Sequence, residues 1–241
     1  MTDEPTPCSA CDGTGWEAVP GKIRTVRHCE SCDYWDRKRG CPPGLPTDEL
    51  DARLANFEPN GYNADAIRHA GLFVQGVHQG LFMHGPVGTG KTRLACSILN
   101  DLWHARTARV RFIRVPELLV RLQPSQTADP ENSDLMATLT DVPVLALDDV
   151  GANAGTDFSR RMLQILVDAR SDRGHRTIWT SNLDPEDLGT FLGDERITSR
   201  IVGSCRIVEL AGPDQRTIRK VRLSVKPVKA PTQRKLGGSR W

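Results

Sequence analysis

The chain has no apolar run that approaches the length needed to cross a bilayer. Its first residues, with Asp3, Glu4 and several prolines, have neither the basic lead nor the apolar core of a secretory signal. These readings predict a cytoplasmic protein with no membrane partner. Net charge is also nearly missing, at +2, but the balance is uneven. Lys220 to Trp241 has no acidic residue, while Lys220, Arg222, Lys226, Lys229, Arg234, Lys235 and Arg240 crowd into it. Two readings of this tail stay open: a nucleic-acid contact, or a solvated terminus, for which Pro227, Pro231, Gly237 and Gly238 argue. With 241 residues, 38% of them hydrophobic, the chain can bury one sizeable core and carry a small appendage.

The strongest signal present is Gly85-Pro86-Val87-Gly88-Thr89-Gly90-Lys91-Thr92, which fits the phosphate-loop pattern G-x-x-x-x-G-K-[ST] without a gap. Gly80 to His84 before it reads as a short buried strand. Leu94, Ala95, Ile98, Leu99 and Leu102 after it recur at helical spacing, so the glycines join a strand to a helix. Gly85, Gly88 and Gly90 let the backbone turn successive amides toward one point, where an anion fits. The dipole of the helix starting near Lys91 adds to that field, Lys91 reaches the outer phosphates, and the Thr92 hydroxyl suits Mg²⁺. ATP and Mg²⁺ are the expected ligands.

Five of the seven cysteines fall in the first 41 residues. Four form Cys8-x-x-Cys11 and Cys29-x-x-Cys32 with 17 residues between the pairs, which is zinc-ribbon spacing. Two such knuckles bring four thiolates to one Zn²⁺ in a closed tetrahedral site, structural rather than catalytic. Gly13 and Gly15 would let backbone amides turn toward the thiolates, and His28 and Cys41 are reserve ligands. So short a segment cannot bury enough apolar surface to fold alone, and metal binding would stabilise it. A disulfide framework is the competing reading. Cys96 and Cys205, isolated on apolar stretches, read as core residues. Cys41-Pro-Pro-Gly-Leu-Pro46 breaks regular structure, which places a linker at 42–53 between a metal module at 1–41 and the domain that follows.

Beyond the linker, strand-like runs at Leu81–His84, Val110–Arg114, Val144–Leu147, Thr177–Thr180 and Arg206–Leu210 alternate with helical ones. This predicts an α/β fold with a largely parallel sheet and helices on both faces. Phe158, Met162, Ile165, Leu166 and Ala169 mark the core face of one helix. The apolar run Val144 to Leu147 delivers Asp148 and Asp149 to the strand end, where such sheets bind ligands, and this is a Walker B pattern. Asp148 would hold Mg²⁺ and Asp149 would orient the attacking water. Thr180-Ser-Asn182 ends the next strand, and Asn182 is the candidate for contacting that water, although the same triplet also simply ends a strand. In Glu195-Arg196-Ile-Thr-Ser-Arg200-Ile201 two arginines share a helix face. Arg200 either reaches a neighbouring subunit's γ-phosphate or forms a local salt bridge.

The order Walker A, Walker B, Thr-Ser-Asn, Arg-x-x-x-Arg resembles the AAA+ ATPases of the helicase-loader group, the DnaC and DnaI family with its transposition relative IstB. Asn56-Phe57, Gly80 to Ala95, Val110 to Leu119 and Ile178 to Leu183 carry the resemblance, which spans Leu54 to Arg219 and sets a domain at 54–219 with a tail at 220–241. It implies an AAA+ P-loop core without a lid domain, Asn182 as sensor, and Arg200 as an arginine finger through which subunits self-associate. Gly212 to Arg216 resembles the family's closing turn, with Arg216 near the nucleotide. The resemblance further implies a replicative hexameric helicase as partner, gripped by the zinc module, and single-stranded DNA along Pro116 to Asp141. There Gln123 to Ser133 reads as a polar loop and Arg121 is the only basic residue. The expected activity is ATP hydrolysis acting as an assembly and release switch. It should be slow, because Asp149 is shorter than the glutamate most such enzymes use. An IstB-like transposase helper on duplex DNA, and an ATP-binding adaptor with little turnover, are the alternatives.

Overall fold

The structure is a computed structural model that describes residues 16–18, 26–28, 41–123, 130–152, 156–193 and 195–215. Cys8, Cys11, Cys29 and Cys32, Arg216 and the basic tail lie outside the described residues. Between the two cysteine pairs in sequence, β1 (Trp16–Ala18) pairs antiparallel with β2 (Val26–His28), with Trp16 opposite His28.

Five further strands form one parallel sheet: β3 (Gly80–His84), β4 (Val110–Arg114), β5 (Val144–Asp148), β6 (Arg176–Ser181) and β7 (Cys205–Glu209). Their spatial order is β4-β5-β6-β3-β7. All four pairings are parallel. The helices are α1 (Ala64–Val74), α2 (Lys91–His104), α3 (Val115–Leu122), α4 (Pro130–Asp141), α5 (Asp157–Asp172), α6 (Pro185–Leu192) and α7 (Glu195–Gly203). Alternate side chains of each strand enter opposite cores, as the pleat requires. Leu81, Met83, Val144, Ala146 and Ile178 pack with α1 and α2. Phe82, Leu145, Leu147 and Trp179 pack with the remaining helices. A parallel sheet covered on both faces is the predicted architecture.

Three details go beyond the expectations. The stretch 42–53 is packed on the domain. Phe112 of β4 donates its N–H to the Pro43 carbonyl at 3.0 Å, Ala52 is wholly buried, and Leu45 packs against the core. Arg93 pairs with Glu49, and Asn100 Nδ2 donates to the Ala52 carbonyl at 2.9 Å. The segment has a single 3-10 turn at Thr47–Glu49, and the carbonyl of Pro43 still accepts, so the segment covers the outer edge of β4 that would otherwise stand open.

On α5 the buried stripe is Ser159, Leu163, Leu166, Val167 and Arg170, not the face read from Phe158 and Ile165, and Ile165 is 50% exposed. A charged residue in the stripe hid its true phase. Arg170 is 2% exposed and donates to the carbonyls of Leu139, Val142 and Arg176 at 2.6–2.8 Å and to the Thr177 hydroxyl at 3.0 Å. Finally, α4 begins at Pro130, inside the stretch read as a loop, because proline is tolerated in the first turn of a helix, where its missing N–H leaves no bond unmade.

Candidate functional site

The phosphate loop leaves the carboxyl end of β3 and closes on the first turn of α2. Gly85, Gly88 and Gly90 all adopt positive φ, at 139°, 82° and 100°. At two of them a side chain is also excluded by space. A Cβ on Gly85 would lie 2.0 Å from the Leu210 carbonyl oxygen, and one on Gly88 would lie 2.2 Å from the Asp214 carboxylate. Lys91 is buried and curls back across the loop, donating to the carbonyls of Gly85 at 2.7 Å and Pro86 at 2.8 Å. The cradle therefore already holds its ammonium over the loop interior, where phosphate oxygens could take the place of the carbonyls.

Asp148, at the end of β5, is 1% exposed and meets Thr92. The Thr92 hydroxyl donates to its two oxygens at 3.0 and 3.2 Å, joining residues 56 positions apart in sequence. Thr180 of β6 donates to Asp148 at 2.5 Å and accepts from the Asp149 N–H at 3.0 Å. Arg114, the last residue of β4, approaches with Nε 3.9 Å from Asp148. Burial pushes the Asp148 carboxyl above its ordinary value, while the hydroxyls of Thr180 and Thr92 pull it back. A hydroxyl and a desolvated carboxylate in contact beside a phosphate loop form a donor set suited to a hard divalent cation.

Asp149 is half-buried with φ of 59°, so the chain turns sharply after Asp148 and gives consecutive carboxylates different surroundings. Asn182 lies on the same edge of the sheet, exposed, one residue past β6. Arg200 is elsewhere. On α7 it pairs with Asp168 of α5, and it lines a cavity of about 250 Å³ with Gln79, Gly80, Arg170 and Thr177. Gly80 is the first residue of β3 and Thr177 the second of β6, so Arg200 stands at the amino edge, across the sheet from its own phosphate loop.

Lys91, Thr92 and Asp148 thus converge as the motifs predicted, with Asp149 and Asn182 nearby and Arg200 apart. Sequence reasoning missed Thr180 and Arg114, both of which address Asp148. Their signal was the register of parallel neighbours: Arg114 pairs with Asp148, and Leu147 with Trp179, so the residues that end these strands must meet. It also missed how closely the chain after β7 follows the loop. Leu210 N–H donates to the His84 carbonyl at 2.8 Å and Gln215 N–H to the Gly88 carbonyl at 2.9 Å.

Fold and site together define a P-loop nucleotide-binding protein of the AAA+ type. Residues 67–223 match the family of IstB-like ATP binding proteins, and the chain belongs to that family. It is 28% identical over 136 residues to the replicative helicase loader DnaI of Bacillus subtilis, covering 56% of this chain and 43% of that protein. It is 31% identical over 144 residues to the insertion sequence ATP-binding protein y4pL of Sinorhizobium fredii, covering 58% and 57%. The chain therefore spans about half the length of these relatives. Among solved structures, that of DnaI superposes with a TM-score of 0.63 at 29% identity, covering 73% of this chain and 96% of that one. No helix among the described residues is long and apolar enough to cross a membrane.

Proposed function

We propose that this protein is a cytoplasmic, ATP-dependent loader that places a replicative hexameric helicase on single-stranded DNA. The observation that carries the reading is the contact between Thr92 and Asp148 beneath the phosphate loop, in a chain whose family binds ATP and whose relatives include a replicative helicase loader. In this reading the loop Gly85 to Thr92 binds the phosphate chain and Lys91 addresses its outer oxygens. Thr92 and Asp148 hold Mg²⁺, which neutralises charge on the phosphate oxygens when bound. Asp149 orients the attacking water and Asn182 contacts it. Since Arg200 faces away from its own loop, the phosphate it serves belongs to a second copy of the chain, and subunits assemble through it. Cys8, Cys11, Cys29 and Cys32 hold structural Zn²⁺ in a module that grips the helicase. Turnover is slow and rises with DNA or partner.

Co-purification with the hexameric helicase, in ATP and in ADP, tests this with the full chain and a version lacking residues 1–40, which keeps the Pro43 contact. Capture that needs residues 1–40 and weakens in ADP is expected. No capture in either nucleotide overturns the loader reading. The match to an insertion sequence ATP-binding protein then favours the second reading, a transposase helper, and preference for duplex over single-stranded DNA would establish it. Binding of ATP with turnover unchanged in Asp149→Asn would instead mark a non-hydrolysing adaptor.

A further inference from the structure

We propose that the amino edge of the sheet, opposite the phosphate loop, is a docking surface for the sugar-phosphate backbone of duplex DNA. In a parallel sheet every helix-to-strand connection falls on one edge and every strand-to-helix connection on the other. Here the two sets carry opposite charge. The helix-to-strand connections 75–79, 105–109, 142–143 and 173–175, with Ser204, contain His78, Arg106, Arg109, Arg173 and His175 and no acidic residue. The strand-to-helix connections 85–90, 149–156 and 182–184 contain Asp149 and Asp184 and no basic residue, and the stretch 210–215 after β7 adds Asp214. Arg176, first in β6, and Arg206, second in β7, extend the basic side.

In the order β4-β5-β6-β3-β7, Arg106 and Arg109 precede β4, Arg173 and His175 precede β6, His78 precedes β3 and Arg206 lies at the start of β7. Strands lie about 4.8 Å apart, so the row runs for about 19 Å, a length over which a duplex presents about five phosphates per strand. Burial first, and then Arg170, Arg173 and Arg109 around His175 and Arg206, Arg68 and Arg176 around His78, hold both imidazoles below their ordinary value. Members of the row are thus close enough to act on one another. Counter-charge is partial: Asp141 lies 3.4 Å from Arg173, and Asp172 ends α5. Arg106 and Arg206 are exposed. Arg106 follows the C-cap of α2 at φ of 53°, where the ends of α1 and α5 use Gly76 and Gly174 at 83° and 65°. A side chain is strained in that conformation, so arginine stands there against the preference of the backbone. Arg176 is held in place, its guanidinium 4.1 Å from the centre of the Phe73 ring and donating to the Phe73 carbonyl. The connections contain no Phe, Tyr or Trp on which unpaired bases could stack, while arginine forks fit phosphate oxygens. Such a surface addresses a backbone rather than bases, and a duplex, with its bases turned inward, presents that backbone.

The test is binding of a DNA duplex by the full-length protein across a salt series, for wild type, Arg106→Gly, Arg206→Gln and Arg161→Gln. The last removes the same charge from the exposed surface of α5. Each edge substitution should weaken duplex binding about fivefold at roughly 0.15 M salt and lower the slope of log affinity against log salt by about 0.9. Arg106→Gly should do so with its melting point level or raised, because glycine relieves the strained turn, and this separates a DNA contact from support of the fold. Arg161→Gln should bind as wild type does. An equal loss in Arg161→Gln overturns the proposal, because net charge rather than the edge would then govern binding. Edge variants that hold duplex as tightly as wild type also overturn it, including the case in which they lose a helicase or single-stranded DNA instead. A wild-type protein without affinity for duplex does the same. Helicase capture is measured apart from duplex binding, so failure of the loader reading leaves this result standing.

Discussion

The two edges of the central sheet each bury charge, and they satisfy it in opposite ways. At the amino edge Arg170 is enclosed by three carbonyls and a hydroxyl from two segments, 139–142 and 176–177, all from the protein itself. Burial pushes its guanidinium down to about 9, and among the described residues no carboxylate pairs with it. At the carboxyl edge Lys91 rests on carbonyls of its own flexible-backbone loop, and Asp148 rests on hydroxyls that metal binding can reorient. The first arrangement is closed and serves stability, because no ligand could replace a partner of Arg170 without opening the core. The second is complete without ligand but exchangeable, and exchangeability is what a binding site requires.

Substitutions can break this contrast. Arg170→Ala should have the largest effect, lowering stability by about 4 kcal/mol through an emptied space and three unpaired carbonyls. Calorimetry should show a melting point lower by roughly 10 °C, with ATP affinity unchanged in the cold. Asp148→Asn should do the reverse. It should cost about 100-fold in ATP hydrolysis by steady-state assay, while the melting point stays level or rises because a desolvated carboxylate has been removed. Lys91→Ala should weaken ATP by roughly tenfold to thirtyfold in a binding titration, with little change in melting. Thr180→Val sharpens the comparison from inside the exchangeable site. Loss of a hydroxyl that serves both Asp148 and the Asp149 amide should lower stability by only about 1 kcal/mol, read from a urea midpoint.

Much of the carboxyl edge was legible in sequence because its parts are short and local. Lys91 and Thr92 sit within one eight-residue pattern, and Asp148 ends an uninterrupted apolar run. Their meeting followed from the rule that parallel sheets bind at strand ends. Thr180 and Arg114 were not legible, because their role depends on which strands are neighbours and in what register, which no local pattern states. Arg170 was missed for a different reason. Periodicity assigns arginine to the solvent face, and only carbonyls from distant segments could reverse that. The stretch 42–53 shows the same limit: proline and glycine state neither its 3-10 turn at Thr47–Glu49 nor the packing of Leu45 and Ala52, which depends on distant partners. Whether the cysteine module folds around Zn²⁺ stays with the proposal above, and zinc analysis of the full chain with and without Cys29→Ser measures it.

The seating of Pro43 on β4 also has a mechanical meaning. Covalent continuity carries any load on the residues before Cys41 into the domain at this point, through the bond to Phe112. That strand is the neighbour of β5, and its last residue, Arg114, lies beside Asp148. A pull on the N-terminal residues would thus arrive as shear along the strand next to the Asp148 carboxylate, and tension becomes a quantity that the end of the sheet carrying the phosphate loop is placed to feel.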